Sequence, residues 1–96
     1  MVEKLVEIGI LFDFYGKLLS TRQYYVIELF YIHDLSLTEI GDEIGITKQG
    51  VYDTLKRGES NLYKYEKKLG LIKKFRKNQY DMEKVIKLAN EIKPII

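Results

Sequence analysis

A chain of 96 residues, 46% hydrophobic and 31% charged, is long enough for one domain with a modest core. It has no cysteine, which excludes a disulfide scaffold, a thiolate metal site and a cysteine nucleophile. The formal net charge of +2 conceals a division: residues 1–44 hold three Lys/Arg against eight Asp/Glu, residues 45–80 ten against three, and residues 81–96 three of each. A basic segment attracts polyanions through its field and the release of their counterions. A solvated lysine-rich helix would give the same count, so charge alone does not decide the partner.

Residues 2–19 predict a helix, with Leu5, Ile8, Leu11 or Phe12, Tyr15 and Leu18 or Leu19 returning every three or four positions. Gly9 and Gly16 weaken it without stopping it. Glu3, Lys4, Glu7, Asp13 and Lys17 interrupt its apolar residues, so it neither spans a membrane nor resembles a secretory signal. A cytoplasmic protein is expected. Phe12, Phe14 and Tyr15 are expected in the core. Ser20 with Gln23 reads as a capping box that opens a helix over residues 21–32, closed by His33-Asp34. His33 is the only histidine, so neither a metal site nor a catalytic triad can be assembled around it.

The most informative stretch runs from Ser36 to Leu55. Ser36 and Glu39 form a second capping box, Gly45 supplies the positive φ that ends a short helix, and Thr47 can cap the next. Ile40, Ile44, Ile46, Val51 and Leu55 face inward, and Gly41 lets the second helix cross closely. This combination is a helix-turn-helix, whose second helix is offered to a DNA major groove.

That second helix should persist from Lys48 to Leu69. Val51, Leu55, Gly58, Leu62, Tyr65, Leu69 and Ile72 alternate spacings of four and three, a heptad-like seam. Its first half must pack on the preceding helices; its second half could take the C-terminal helices or another subunit, giving a homodimer through the long helix. Asp53 and Arg57 stand at i,i+4 as an attractive pair. Gly70 ends the helix. Asp81 then suggests the N-cap of a last helix, with Met82, Val85, Ile86, Ala89 and Ile92 on one side and Pro94 at its end. The expected fold is all-α, a single domain over residues 1–96. Its helix-turn-helix core lies at about residues 20–69, and its C-terminal helices at about 71–93.

The candidate nucleic-acid-binding residues are Thr47, Lys48, Gln49, Tyr52, Lys56 and Arg57. Lys48 can reach guanine acceptors or a phosphate, and Gln49 can pair bidentately with adenine. Thr47 and the free amides of the first turn suit a phosphate, and Tyr52 can stack or touch a thymine methyl. Lys56, Arg57 and Lys64 would follow the backbone. Asp53 is the discordant member, tolerated opposite a cytosine amino group or when paired with Arg57. No glycine-rich phosphate cradle or metal-ligand spacing is present; no enzyme, metal or cofactor is expected.

Residues 39–51, Glu-Ile-Gly-Asp-Glu-Ile-Gly-Ile-Thr-Lys-Gln-Gly-Val, resemble the helix-turn-helix of promoter-binding region four of bacterial sigma factors. The runs Leu11-Phe12-Asp13-Phe14-Tyr15, Leu18-Leu19-Ser20-Thr21-Arg22-Gln23, Val51-Tyr52-Asp53-Thr54-Leu55-Lys56-Arg57 and Tyr65-Glu66-Lys67-Lys68-Leu69 resemble the YlxM family. These are small bacterial proteins typically encoded beside the signal recognition particle protein Ffh. The resemblance covers about residues 11–75. It implies a DNA-binding regulatory or accessory protein, with Lys48, Gln49 and Tyr52 at the base-facing positions of a sigma-like helix. It also implies a link to protein targeting, where RNA or protein components of the signal recognition particle are alternative partners.

Overall fold

The computed structural model describes residues 2–91, with side chains from Glu3 to Ala89. Five helices follow one another: α1 (Val2–Tyr15), α2 (Thr21–Ile27, continued as a π turn over Glu28–Ile32), α3 (Leu37–Ile44), α4 (Lys48–Leu69) and α5 (Leu71–Glu91). There is no strand among the described residues, as expected of an all-α chain.

The first helix is shorter than its periodicity suggests. It leaves α geometry at Tyr15 and tightens into a 3₁₀ turn over Gly16–Leu18, at the position where glycine lowers helix propensity by about 1 kcal/mol. The Ser20 hydroxyl accepts from the Gln23 amide at 3.2 Å, opening α2. The reciprocal half of that capping box is missing, because the Gln23 side chain accepts instead from Asn61 Nδ2 of α4 at 3.1 Å. The π turn, bonded from His33 N to Glu28 O at 3.1 Å, inserts an extra residue per turn and leaves Leu29, Phe30 and Tyr31 all half-buried. Asp34, at φ 59°, then reverses the chain.

Helix α4 is the axis of the core. Val51 and Leu62 are fully buried and Leu55 nearly so, against Ile8, Leu11 and Tyr15 of α1, Val26 and Ile27 of α2, and Ile40 of α3. A Cβ on Gly58 would lie 3.1 Å from Ile27 Cγ1, so α2 crosses α4 where the latter has no side chain. The neighbour that uses this glycine is therefore a helix of the same chain. The seam's later half is also occupied internally: Tyr65 packs on the Tyr15 ring and donates its hydroxyl to Leu18 O at 3.1 Å. With Leu62 at 0% exposure, the seam does not present that residue to a second subunit, which corrects the expected dimer surface. Leu69 is the seam residue left open.

Gly70, at φ 61°, turns the chain into α5. The Glu66 carboxylate accepts the amides of Ile72 at 3.1 Å and Lys73 at 3.2 Å, capping α5 from the preceding helix. The buried Tyr15 hydroxyl donates to the same carboxylate and accepts from the Leu71 amide at 3.0 Å. That bond, with the amides, holds Glu66 below the usual carboxylate range, while burial opposes it. Ile72 is buried, and Phe75 meets Phe14 edge-on at 5.7 Å. Beyond these, α5 projects, with every described side chain from Lys73 to Ala89 exposed; the chain extends 69 × 26 × 21 Å. The expected helix start at Asp81 is not found. Residues 77–82 contain neither glycine nor proline, and one helix runs through them. The expected roles of Ile92 and Pro94 lie outside the described residues.

Candidate nucleic-acid interface

The helix-turn-helix is built almost wholly by local hydrogen bonds. Glu39 N donates to Ser36 Oγ at 3.1 Å and Ser36 N to Glu39 Oε1 at 2.9 Å, closing the capping box that starts α3. These bonds also hold the Glu39 carboxyl below its usual range. Gly45, at φ 76°, ends α3, and the amides of Gly45 and Ile46 both donate to Gly41 O, at 2.9 and 3.0 Å. A Cβ on Gly41 would stand 2.7 Å from Ile46 O, so the missing side chain makes room chiefly for the turn's own carbonyl. Thr47 Oγ1 accepts from the Gly50 amide at 3.0 Å and starts α4. Ile40, Val51 and Leu55 are buried beneath the motif, with Ile44 and Ile46 half-buried at its edge.

Of the six candidate residues, all are exposed, but they divide by direction. Thr47, Lys48 and Gln49 stand together at the N-terminus of α4. Gln49 Nε2 donates to Asp53 Oδ1 at 3.0 Å, so the amide expected at adenine is held by its i+4 neighbour. Among the described residues Asp53 forms no ion pair with Arg57, contrary to expectation; of its two i±4 neighbours, it binds Gln49. Tyr52 carries the Lys56 ammonium 5.5 Å above its ring. Both turn toward a cleft shared with α1, α2 and α3. Arg57 lines a shallow groove of about 330 Å³ with Gln23, Ser60, Asn61 and Lys64, and Lys56 stands between the two, lining both cleft and groove.

Comparison with known proteins agrees with this geometry. A family model described as "Putative helix-turn-helix protein, YlxM / p13 like" matches residues 2–95. The chain belongs to the UPF0122 family. It is 49% identical over 84 residues to a UPF0122 protein of Desulforamulus reducens, covering 88% of this chain and 72% of the relative. A UPF0122 protein of Caldanaerobacter subterraneus subsp. tengcongensis is 44% identical over 85 residues, with 88% and 73% covered. One from Listeria welshimeri is 43% identical over 79 residues, with 82% and 72% covered. The UPF0122 description is of a helix-turn-helix family, not of an enzyme family.

Two groups of this UPF0122 chain escaped the sequence reading. The groove residues Gln23 and Asn61 are brought together only by the α2–α4 crossing. The second group is Glu59, 5% exposed, in the cleft lined by Lys4, Leu5, Phe30, Tyr31, Leu37, Tyr52, Leu55 and Lys56. Lys4 Nζ lies 2.9 Å from Glu59 Oε1, and Lys56 Nζ is 4.0 Å from Oε2. The bond to Glu59 and its charge push the Lys4 pKa up. The Tyr31 hydroxyl is pushed up to about 12, first by burial and then by the charge of Glu59, so it stays protonated. The signal for Glu59 was present: it lies four residues after Leu55 and three before Leu62, on the edge of the buried stripe. Among the described residues, no helix is long and apolar enough to cross a membrane. No acidic or histidine cluster there could hold a metal ion.

Proposed function

We propose that this protein is a non-catalytic nucleic-acid-binding regulator or accessory factor that works in the cytoplasm and docks duplex DNA with α4. The observation that supports this reading most is the exposed N-terminal turn of α4, with Lys48 and Gln49 beside a capped helix-turn-helix. Arg57, more than two turns on, and Lys64, about four turns on, continue the positive edge. In this docking Thr47 and the first-turn amides hold a phosphate while Lys48 faces a base edge. Gln49 reads adenine only after exchanging its bond to Asp53 for one to the base, which lowers the net gain from that contact. The usual gene neighbourhood of the YlxM-like relatives, beside Ffh, supports a place in protein targeting, with signal recognition particle RNA as the alternative ligand. The test titrates labelled duplex DNA and that RNA against the full chain over a range of salt. Affinity should fall steeply as salt rises; flat, weak binding of both ligands would overturn the reading.

One observation favours a second activity, self-association. Along α5, Leu71, Phe75, Asn78, Met82, Val85 and Ala89 repeat at spacings of four and three. Phe75, Met82 and Val85 are 54%, 61% and 60% exposed. A second copy of this chain is the occupant that suits such a ridge, because a single Asn within a heptad seam aligns with its own copy. This reading sets the homodimer on α5 in place of the long helix α4. Light scattering should give a dimer that Met82→Glu with Val85→Glu dissociates; a monomer at high concentration, with or without Ffh bound, would refute it.

A further inference from the structure

The cleft around Glu59 has no part in the docking described above, yet it holds an unusual atom. Glu59 Oε2 is buried and has no hydrogen-bond partner, on a side chain only 7% exposed. Its nearest cation, Lys56 Nζ, stands at 4.0 Å, too far for a hydrogen bond, and the Tyr31 hydroxyl is the other donor beside the carboxylate; a buried carboxylate oxygen held this loosely costs free energy and calls for an explanation. Around it stand three aromatic side chains, Phe30, Tyr31 and Tyr52, in a cleft of about 380 Å³. At its mouth are two lysines, Lys4 and Lys56, each about half exposed.

From this arrangement we propose that the cleft captures a single nucleotide displaced from its stack, with a preference for a base bearing an exocyclic amino group. The inference rests on the nucleic-acid reading and adds a second, single-strand-specific contact to it. Aromatic faces receive a base without regard to its identity; here the Tyr52 face becomes available when Lys56 leaves it for the phosphate, while Phe30 and Tyr31 pack edge-to-face on each other at 5.0 Å. A carboxylate oxygen is an acceptor only, so it takes the amino group of adenine, cytosine or guanine. Uracil offers one N–H between two carbonyls, which the carboxylate repels. The same surroundings argue against a cationic guest. Glu59 already faces two ammonium groups, leaving the trio formally at +1, and a guanidinium would have to displace one of them. A nucleotide instead brings a phosphate, onto which Lys56 can move from its 4.0 Å contact, opening Oε2 to the base. Phe30 and Tyr31 both belong to the π turn that ends α2 and both line the cleft, and π turns are concentrated at functional sites.

The experiment uses the full chain and labelled octanucleotides rA8, rC8 and rU8, with duplex DNA alongside. The expected result is tighter binding of rA8 and rC8 than of rU8 by about tenfold, the discrimination of a polar contact near 1.4 kcal/mol. Glu59→Gln, which adds a donor, should erase or reverse that order. With unaltered protein, AMP and CMP should shift the ring resonances of Phe30, Tyr31 and Tyr52 more than UMP does, a readout independent of whether the variant folds. Equal binding of the three octanucleotides, unmoved rings, or an order retained in Glu59→Gln would overturn the proposal. If N-acetylarginine amide moves the rings and nucleotides do not, the cleft serves a basic protein segment and the proposal falls. Duplex binding without base preference would leave the α4 reading standing and remove the cleft alone. Base preference without duplex binding would do the reverse.

Discussion

Replacing Arg57 and Lys64 together by glutamine tests whether the flank of α4 follows a phosphate backbone. The two residues are seven apart, two helical turns or about 10 Å, and both line the groove with Gln23 and Asn61. Neither is in an ion pair among the described residues, so their charges are available to a ligand. Each phosphate neutralised on duplex DNA contributes about 0.9 to the slope of log affinity against log salt. Losing both contacts should flatten that slope by about 1.8. At 0.15 M salt this amounts to about a thirtyfold loss, or ~2 kcal/mol. Fluorescence anisotropy over 50–300 mM salt reads both quantities. Lys84→Gln with Lys87→Gln, on the projecting α5, removes the same net charge and serves as the comparison. An unchanged slope in the α4 variant, or an equal change in both, would refute the docking and leave only a general field effect.

Two further expectations concern the frame that holds this surface. Gly41→Ala places a Cβ 2.7 Å from Ile46 O; that clash, about 1–3 kcal/mol, should outweigh the ~1 kcal/mol gain in helix propensity. The net loss, up to about 2 kcal/mol, should lower the melting temperature by up to about 15 °C in a domain of this size, and a rise would show that the turn yields freely. Glu66 titrates below the usual carboxylate range when folded, because Tyr15 and the first amides of α5 bind its charged form. Its stabilisation is therefore complete above the ordinary carboxylate pKa, and is lost as pH falls through the depressed folded value. Thermal melts at falling pH should show a decline that Glu66→Gln lacks; parallel curves for the two proteins would remove Glu66 from the account of the α4–α5 corner.

The sequence by itself determined the elements whose hydrogen bonds close within three or four residues. The Ser36–Glu39 capping box, the turn at Gly45, the Thr47 cap and the end of α4 at Gly70 each need only their neighbours, so each was legible as a pattern. The position of the candidate residues on α4 followed from the buried phase of Val51 and Leu55. Where one residue had two suitable neighbours at i±4, the pattern could not choose: Asp53 pairs with Gln49 rather than Arg57. Asp81 was a cap only by its residue type, and with no glycine or proline near it α5 continues through.

Only the tertiary structure decided which side chains meet across helices. The crossing of α2 over Gly58 turns Gln23 away from its own cap toward Asn61, and the α4 seam closes on the chain's own α1 and α2. The π turn brings Phe30 and Tyr31 to Tyr52 and the buried Glu59. These contacts join residues far apart in sequence, and they depend on helix crossing angles and on one extra residue in a turn. Neither leaves a periodic mark on the chain. The helix-turn-helix is therefore a local statement of the sequence, whereas the polar groove and the aromatic cleft that flank it belong to the packing.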